Sequence, residues 1–297
     1  MSESPLCGIL PVDKAPDWTS HDVVAKTRGL LGQRRVGHAG TLDPMATGLL
    51  VVLAGKATRL MELLLGEKTY QARLRLGFTS DTLDAQGDVR PTGAALPPPE
   101  EVYAVLPRFL GGIEQIPPMV SAVKVGGQRL YKLARQGVEI ERKPRPVTVR
   151  ALELSEADGG DLALTVTCSS GTYIRTLIAD IGNALGCGAV MTALRRVRSG
   201  ALDIGQAVTL EELSRRKAAG EAPETWLLTV RAALPDLPAL TLTEREELAL
   251  YQGKTLPGRP LPAQQDGLCW LLDTSGTAIA LAKAERTTLK LHINLKT

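Results

Sequence analysis

Gly37-His38-Ala39-Gly40-Thr41-Leu42-Asp43-Pro44-Met45-Ala46-Thr47-Gly48-Leu49-Leu50 is the stretch on which the reading of this chain turns. It holds three glycines, one of the three histidines and an Asp-Pro step, and the apolar run Leu49 to Ala54 follows at once. Gly37 and Gly40 admit positive φ or the close approach of another segment. Pro44 fixes its own φ and drives Asp43 towards an extended conformation. Asp43 is therefore expected on a stiff loop just ahead of a buried strand, where a rigid scaffold can hold a reactive group.

Several chemistries fail on this loop. A phosphate loop needs four residues between its glycines and a Lys-Ser or Lys-Thr after them. Gly48 and Gly55 have six residues between them, and Ala57 follows Lys56. A metal site needs clustered ligands, and no second His or Cys lies near His38. The nucleophile elbow of the serine hydrolases is missing, although a triad assembled from distant residues stays open. What remains is a lone carboxylate, Asp43, as nucleophile or general base, with an imidazole five residues before it. The plainer reading, Asp43 capping a turn and His38 as an ordinary loop residue, is the commoner fate of an isolated Asp-Pro.

The 297 residues allow one large or two modest domains. With 44% hydrophobic and 23% charged residues, the composition is that of a soluble globular protein. No apolar run reaches the length of a membrane span, and residues 1–5 do not begin a signal peptide. Cys7, Cys168, Cys187 and Cys269 form no C-x-x-C pair, so reduced thiols in a cytoplasm are expected. Charge is uneven. Met119 to Arg150 carries eight basic residues against Glu139 and Glu141, a net +6 in a chain of net +3. A basic segment on a mildly acidic body fits a polyanion ligand, and a solvated loop fits it equally well.

Along the chain, Gly8 to Val12 reads as a short strand. Thr19 or Ser20 caps a helix running to Leu31 and stopped by Gly32. Lys56 to Leu65 reads as a helix. Thr69 to Phe78 alternates strictly and reads as a strand with Tyr70 on its inward face, where a core tyrosine is the plain reading. Residues 79–99 read as loop, Glu100 to Leu110 as a helix kinked at Pro107, and Gln128 to Gln136 as a helix bearing Arg129, Lys132 and Arg135. Val147 to Leu154 and Leu162 to Cys168 read as paired strands around a turn at Asp158-Gly159-Gly160. A helix from about Tyr173 to Leu185 places Arg175 near its start, which is unfavourable for the helix dipole. It calls for an anion, and Asp43 is the natural candidate. Leu210 to Lys217 reads as a helix. After a composition break over 218–238, short β-like runs at Cys269–Leu272, Ala278–Leu281 and Leu289–Ile293 suggest a small β barrel.

The stretch Gly37 to Gly48 resembles the catalytic motif of the TruB family of pseudouridine synthases, which modifies tRNA position 55 and whose archaeal and eukaryotic cousins are RNA-guided. The resemblance extends to Glu67-Lys68-Thr69-Tyr70, Gly171-Thr172-Tyr173-Ile174-Arg175 and Ala193-Leu194-Arg195-Arg196-Val197-Arg198-Ser199-Gly200, and covers nearly the whole chain. Asp13-Lys14-Ala15-Pro16 departs from the family's first motif by placing its proline one position later. The resemblance implies an α+β fold, a mixed and largely antiparallel sheet flanked by helices, with a PUA-like β barrel at the C-terminus. It places the synthase at 1–235, an RNA-clamping insertion at about 119–150, and the RNA-binding barrel at 236–297.

The same resemblance implies an enzyme that needs no cofactor and no metal. Asp43 is its nucleophile and Arg175 the partner of Asp43. Tyr70 lies on the substrate base and is a possible proton acceptor, His38 takes the space that the flipped base leaves, and Tyr173 and Leu194 close the pocket. Lys124, Arg129, Lys132 and Arg135 are phosphate candidates. Attraction to Arg175 is expected to outweigh burial and lower the Asp43 pKa. The expected partner is the tRNA T stem-loop, bound by a monomer with no membrane contact. A tRNA-folding chaperone without chemistry, and a subunit of an RNA-guided complex, are the competing readings; the chaperone needs neither Asp43 nor Arg175.

Overall fold

The strand after the Asp43 loop, Thr47–Ala54, is buried along nearly its whole length and feeds two cores. Side chains alternate across a strand. Leu50, Val52 and Ala54 thus enter one cluster, while Leu49, Val51 and Leu53 enter another. The neighbouring strand Gly8–Lys14 does the same, with Leu10 and Val12 on the first side and Ile9 on the second. The computed structural model describes residues 5–121, 123–134, 136–257, 267–285 and 288–296.

The large sheet runs Val208–Thr209, Gly8–Lys14, Thr47–Ala54, Ala189–Ser199, Lys68–Leu76, Leu162–Cys168, Arg145–Glu156 and Gly111–Gln115. Its pairings are antiparallel except where Gly8–Lys14 meets Val208–Thr209 and where Ala189–Ser199 meets Thr47–Ala54. The second parallel contact sets Arg195 and Arg196 against Thr47 and Gly48. Gly48 makes it possible: its φ is +95°, and a Cβ there would lie 2.3 Å from the Arg196 carbonyl oxygen.

The helix Ser20–Leu31 ends as its sequence signals require. Thr19 and Asp22 form a capping box, and Gly32 closes the helix at φ 67°. It buries Val23, Val24, Leu30 and Leu31 in the first cluster. Leu177, Ile178 and Ile181 of the helix Ile174–Ala184 enter the same cluster.

Three elements differ from the sequence reading. Gly55–Leu64 is a 3-10 run, not an α-helix. The helix beginning at Pro99 stops at Val105, and a 3-10 turn carries the chain past Pro107. The helix expected over 128–136 is a hairpin followed by a short helix: Lys124–Val125 pairs with Gln128–Arg129, and Leu130–Ala134 follows. Gly126 and Gly127 both have positive φ, 57° and 83°, the two-residue turn that matches strand twist. Helical spacing at Leu130, Leu133 and Ala134 is real but lasts only that one turn.

The C-terminal segment forms a five-stranded sheet in the order Ala239–Thr241, Leu268–Leu272, Ala278–Glu285, Thr288–Asn294 and Leu256–Pro257. It shares a core with the large sheet. Trp270, fully buried, joins Leu272 and Leu281 to Ile9, Leu49, Val51 and Leu53, and its indole N–H donates to the Leu234 carbonyl at 3.1 Å. From the 3-10 run, Arg59 donates to the Asn294 carbonyl at 2.8 Å and Lys56 to that of Lys296. No described helix is long and apolar enough to cross a membrane, and all four cysteines are unpaired.

Candidate active site

The Asp43 loop is pinned from three directions. Ser20 accepts from the Leu42 N–H at 2.9 Å and donates to the Leu42 carbonyl at 3.1 Å. Lys14, wholly buried, gives its ammonium to the carbonyls of Ala15, Trp18 and Pro44 at 2.7–2.9 Å. Burial lowers the Lys14 pKa to about 8. Arg196, also fully buried, donates to the carbonyls of Leu49 at 2.7 Å, Gly40 at 2.9 Å and Thr41 at 3.5 Å. Neighbouring groups from the first strand, the first helix and the Ala189–Ser199 strand thus hold the loop, so the displaced proline of Asp13-Lys14-Ala15-Pro16 leaves the lysine's grip on it intact.

Arg175 meets Asp43 as its place in the helix demands. Its Nε lies 3.0 Å from Asp43 Oδ2, and the residue is 2% exposed. A second carboxylate, Asp84, lies 3.6 Å from the same nitrogen. The other guanidinium nitrogens donate to the carbonyls of Thr82 and Val120, each at 2.9 Å. Asp84 is itself fixed, accepting from the Thr82 hydroxyl at 2.6 Å and the Gln86 N–H at 3.0 Å. One buried cation therefore serves two carboxylates and two carbonyls.

That sharing reverses the expected pKa of Asp43. Burial raises it above the ordinary carboxylate range; Arg175 pulls it back, and Asp84 adds to the rise. A carboxylate enclosed by protein on all but its cavity side loses more solvation than a divided guanidinium returns.

A cavity of about 250 Å³ opens beside the pair. Asp43, Tyr70, Tyr173, Arg175 and Leu194 line it, together with Lys68 and Arg196. The volume is smaller than the roughly 300–1,000 Å³ of drug-sized ligand sites. Tyr70 projects from the Lys68–Leu76 strand, and burial raises its phenol pKa although Arg196 acts against the shift. It presents a neutral ring at neutral pH, suited to stacking. Tyr173 precedes the Arg175 helix, and its backbone is held both ways by Gln115: the Tyr173 N–H donates to Oε1 at 3.0 Å, and Nε2 donates to the Tyr173 carbonyl at 3.3 Å.

His38 is on the Val36–Ala39 strand and is not among the residues lining the cavity. Its Nδ1 is buried without a hydrogen-bond partner, and its ring meets His21 edge to face at 6.4 Å. Burial lowers its pKa, as do His21 and Arg196, leaving a neutral imidazole. Lys124 and Arg129 face each other across the hairpin, and Lys132 is on the short helix after it; these three are described by their backbone. Arg135 lies outside the described residues. Sequence reasoning gave no role to Asp84, Lys68, Arg196 or Gln115. Lys68 and Arg196 stood inside quoted motifs, while Asp84 stood in a stretch read only as loop.

Among the described residues no cluster of His, Cys, Asp or Glu is arranged to hold a metal ion. Residues 28–174 match the family described as TruB family pseudouridylate synthase, N-terminal domain, and residues 175–234 match the tRNA pseudouridylate synthase B C-terminal domain. The tRNA pseudouridine synthase B of Dechloromonas aromatica is 50% identical over 232 residues, covering 78% of this chain and 77% of that protein. Its namesake in Pseudomonas putida is 42% identical over 281 residues, covering 94% and 92%. Among solved structures, an H/ACA RNP bound to a substrate RNA containing 2′-deoxyuridine is similar at TM-score 0.73 and 26% identity, covering 98% of this chain and 85% of the matched one. A Cbf5-Nop10-Gar1 complex gives TM-score 0.72 and 28% identity, covering 98% and 84%. With the motifs, the sheet and the relatives in agreement, the chain belongs to the TruB family of pseudouridylate synthases.

Proposed function

We propose that this pseudouridine synthase isomerises uridine 55 in the T loop of tRNA, with Asp43 as its nucleophile or base. The observation that carries the reading is the Asp43–Arg175 pair, 3.0 Å apart and open to a cavity lined by Tyr70, Tyr173 and Leu194. The tRNA substrate is supported by relatives, named as tRNA pseudouridine synthase B, at 42–50% identity over most of their length. The H/ACA RNP and Cbf5-Nop10-Gar1 structures stand further off, at 26–28% identity, so a stand-alone monomer in the cytoplasm is the simpler reading. A chaperone without chemistry would leave unexplained a buried arginine set between two carboxylates.

A uridine stacked in a folded loop must leave its stack to reach Asp43, at a cost of about a few kcal/mol. The neutral His38 ring would fill the vacated space, Tyr70 would lie on the extracted base, and Leu194 and Tyr173 would close over it. Residues 119–150 would clamp the RNA, with Lys124, Arg129, Lys132 and Arg135 on its phosphates. Residues 1–235 form the synthase in this reading, and 236–297 a PUA-like RNA-binding unit.

The test is tritium release from a T-stem-loop RNA labelled at uridine C5, with wild type and Asp43→Asn in parallel. Wild type releases tritium, and the amide, a poor nucleophile and base, abolishes release. Release by both would remove Asp43 from the chemistry. RNA binding without release by either would favour the chaperone.

A further inference from the structure

Lys68 is 4% exposed, begins the strand that carries Tyr70, and lies on the same buried face. Its ammonium makes one hydrogen bond, to the Gly66 carbonyl at 3.0 Å. Arg196 pairs with Tyr70 across the adjoining strand. The two cations flank one backbone position: a Cβ placed on Gly40 would lie 3.2 Å from Lys68 Cε and 3.3 Å from Arg196 Nη1. Both line the Asp43 cavity.

No anion among the described residues balances them. The Arg196 donors go to backbone carbonyls and to the Tyr70 phenol, which burial keeps neutral. Glu67, next to Lys68 in sequence, pairs with Arg150 at 3.4 Å. Cys168 sits opposite Lys68 on the neighbouring strand, and burial pushes its thiol up to about 11, so it is neutral at neutral pH. Burial, then repulsion from Arg196, lowers the Lys68 pKa to about 8. Two like charges kept together in a dry place cost stability, and an apolar side chain of lysine's size would be the more stable choice. Such an arrangement suits a negative charge that arrives with the substrate.

Isomerisation creates one. The C1′–N1 bond breaks with its electron pair moving to the ring, so the freed uracil is an anion with its charge over N1, O2 and O4; C1′, left electron-poor, is bonded by the Asp43 carboxylate or relieved by loss of a C2′ proton to it until C5 returns. The ring turns, C5 bonds to C1′, C5 loses its proton and N1 gains one. We propose that Lys68, with Arg196 beside it, binds the uracil anion in the interval between bond breaking and bond making, donating hydrogen bonds without transferring a proton. This rests on the reading that the Asp43 cavity holds the reacting nucleotide.

The experiment compares wild type, Lys68→Met and Lys68→Arg in single turnover on T-stem-loop RNA carrying uridine or 5-fluorouridine at the target. The target nucleoside carries a ¹⁴C label; because the isomer has the same mass as uridine, its loss is followed by chromatography of the digested RNA, and RNA affinity is measured separately. Lys68→Met is expected to slow reaction at uridine about 10²-fold, the scale of a lost oxyanion donor, with Kd within about 3-fold. Fluorine makes the departing ring a better anion, so the deficit should shrink below about 10-fold there, and Lys68→Arg should recover part of the rate. A thermal midpoint equal to or above wild type shows that the Met variant is folded. Equal deficits on both bases would overturn the proposal. So would a deficit confined to Kd with a salt slope reduced by about 0.7–0.9, which marks a phosphate contact. Failure of wild type on the stem-loop would strike the T-loop reading instead. The same variants are then compared on unmodified bulk tRNA with uridine or 5-fluorouridine, where the same two outcomes decide.

Discussion

Two buried arginines line one cavity and are held in opposite ways. Arg175 faces Asp43 and Asp84, with carbonyls completing its hydrogen bonds. Arg196 faces backbone carbonyls and the Tyr70 phenol, with no carboxylate among them and Lys68 as a second cation nearby. Around Arg175 positive charge is answered by two carboxylates, and what the protein adjusts is the ionisation of one of them. Around Arg196 charge is left positive, and what the protein supplies is a field. The first arrangement prepares a group of its own for reaction, and the second prepares a place for a group that the substrate brings.

The sharpest way to break the balanced side is Arg175→Leu. Asp43 and Asp84 would then face each other without a cation, and burial would act on Asp43 unopposed. Turnover should fall by about 10²–10³-fold, the range for a lost electrostatic group at a reacting centre. Single-turnover tritium release at saturating RNA measures it. A loss below about 5-fold would mean that Arg175 is only a structural ion-pair partner.

Arg196→Met should act mainly on stability. Its guanidinium ties Leu49 on the central strand to Gly40 and Thr41 on the Asp43 loop, and removing it leaves the buried Leu49 carbonyl and the partly buried Gly40 carbonyl without that donor. Each such orphan costs about 1–3 kcal/mol. Relief of the repulsion on Lys68 offsets part of this, so a net loss of about 2–4 kcal/mol is expected in urea denaturation. Lys68→Met, losing one bond to Gly66, should show none. Equal losses in the two variants would erase the distinction between a cation that holds the loop and one that waits for substrate.

Much of the balanced side was legible in the sequence, because local rules force it. Asp43-Pro44 between glycines reads as a stiff loop, and Arg175 at a helix start needs an anion whatever the fold. Thr19 or Ser20 and Gly32 marked the ends of the first helix in the same local way, and the structure chooses Thr19. Asp84 was not legible, since its role depends on a contact with Arg175 91 positions later. The positive side was also hidden: Lys68 and Arg196 look like ordinary charged residues until strand pairing turns both inwards. The hairpin at 124–129 was missed because the spacing of Leu130, Leu133 and Ala134 was carried back over Gln128-Arg129, and Gly126-Gly127 was not read as a turn. The shared core of the two sheets follows from strict alternation in Thr47–Ala54, a strand that the sequence showed only as a continuous apolar run. The direction of the Asp43 pKa is the difference of opposing effects, and no residue pattern gives its sign.

That sign sets the smallest and most specific test. In the proposed reaction Asp43 works ionised, so activity is expected to fall on the acid side as pH drops through its folded pKa. Because that pKa is raised, the acid limb of single-turnover rate should lie above the ordinary Asp value of about 3.9. Arg175→Leu should move the limb to higher pH by removing the cation. Asp84→Asn should move it to lower pH by removing a like charge, and these opposite movements separate electrostatics from general damage. Stability carries the same information by linkage. A carboxyl whose folded pKa is raised binds protons better in the folded chain, so its ionisation costs stability. That cost is absent below the unfolded pKa and complete above the folded one. At neutral pH Asp43→Asn should therefore melt at or slightly above wild type, with the difference closing as pH falls towards about 4. A variant that melts lower at neutral pH, with a wild-type acid limb in the ordinary Asp range, would show that Arg175 prevails over burial and that this site is tuned in the opposite direction.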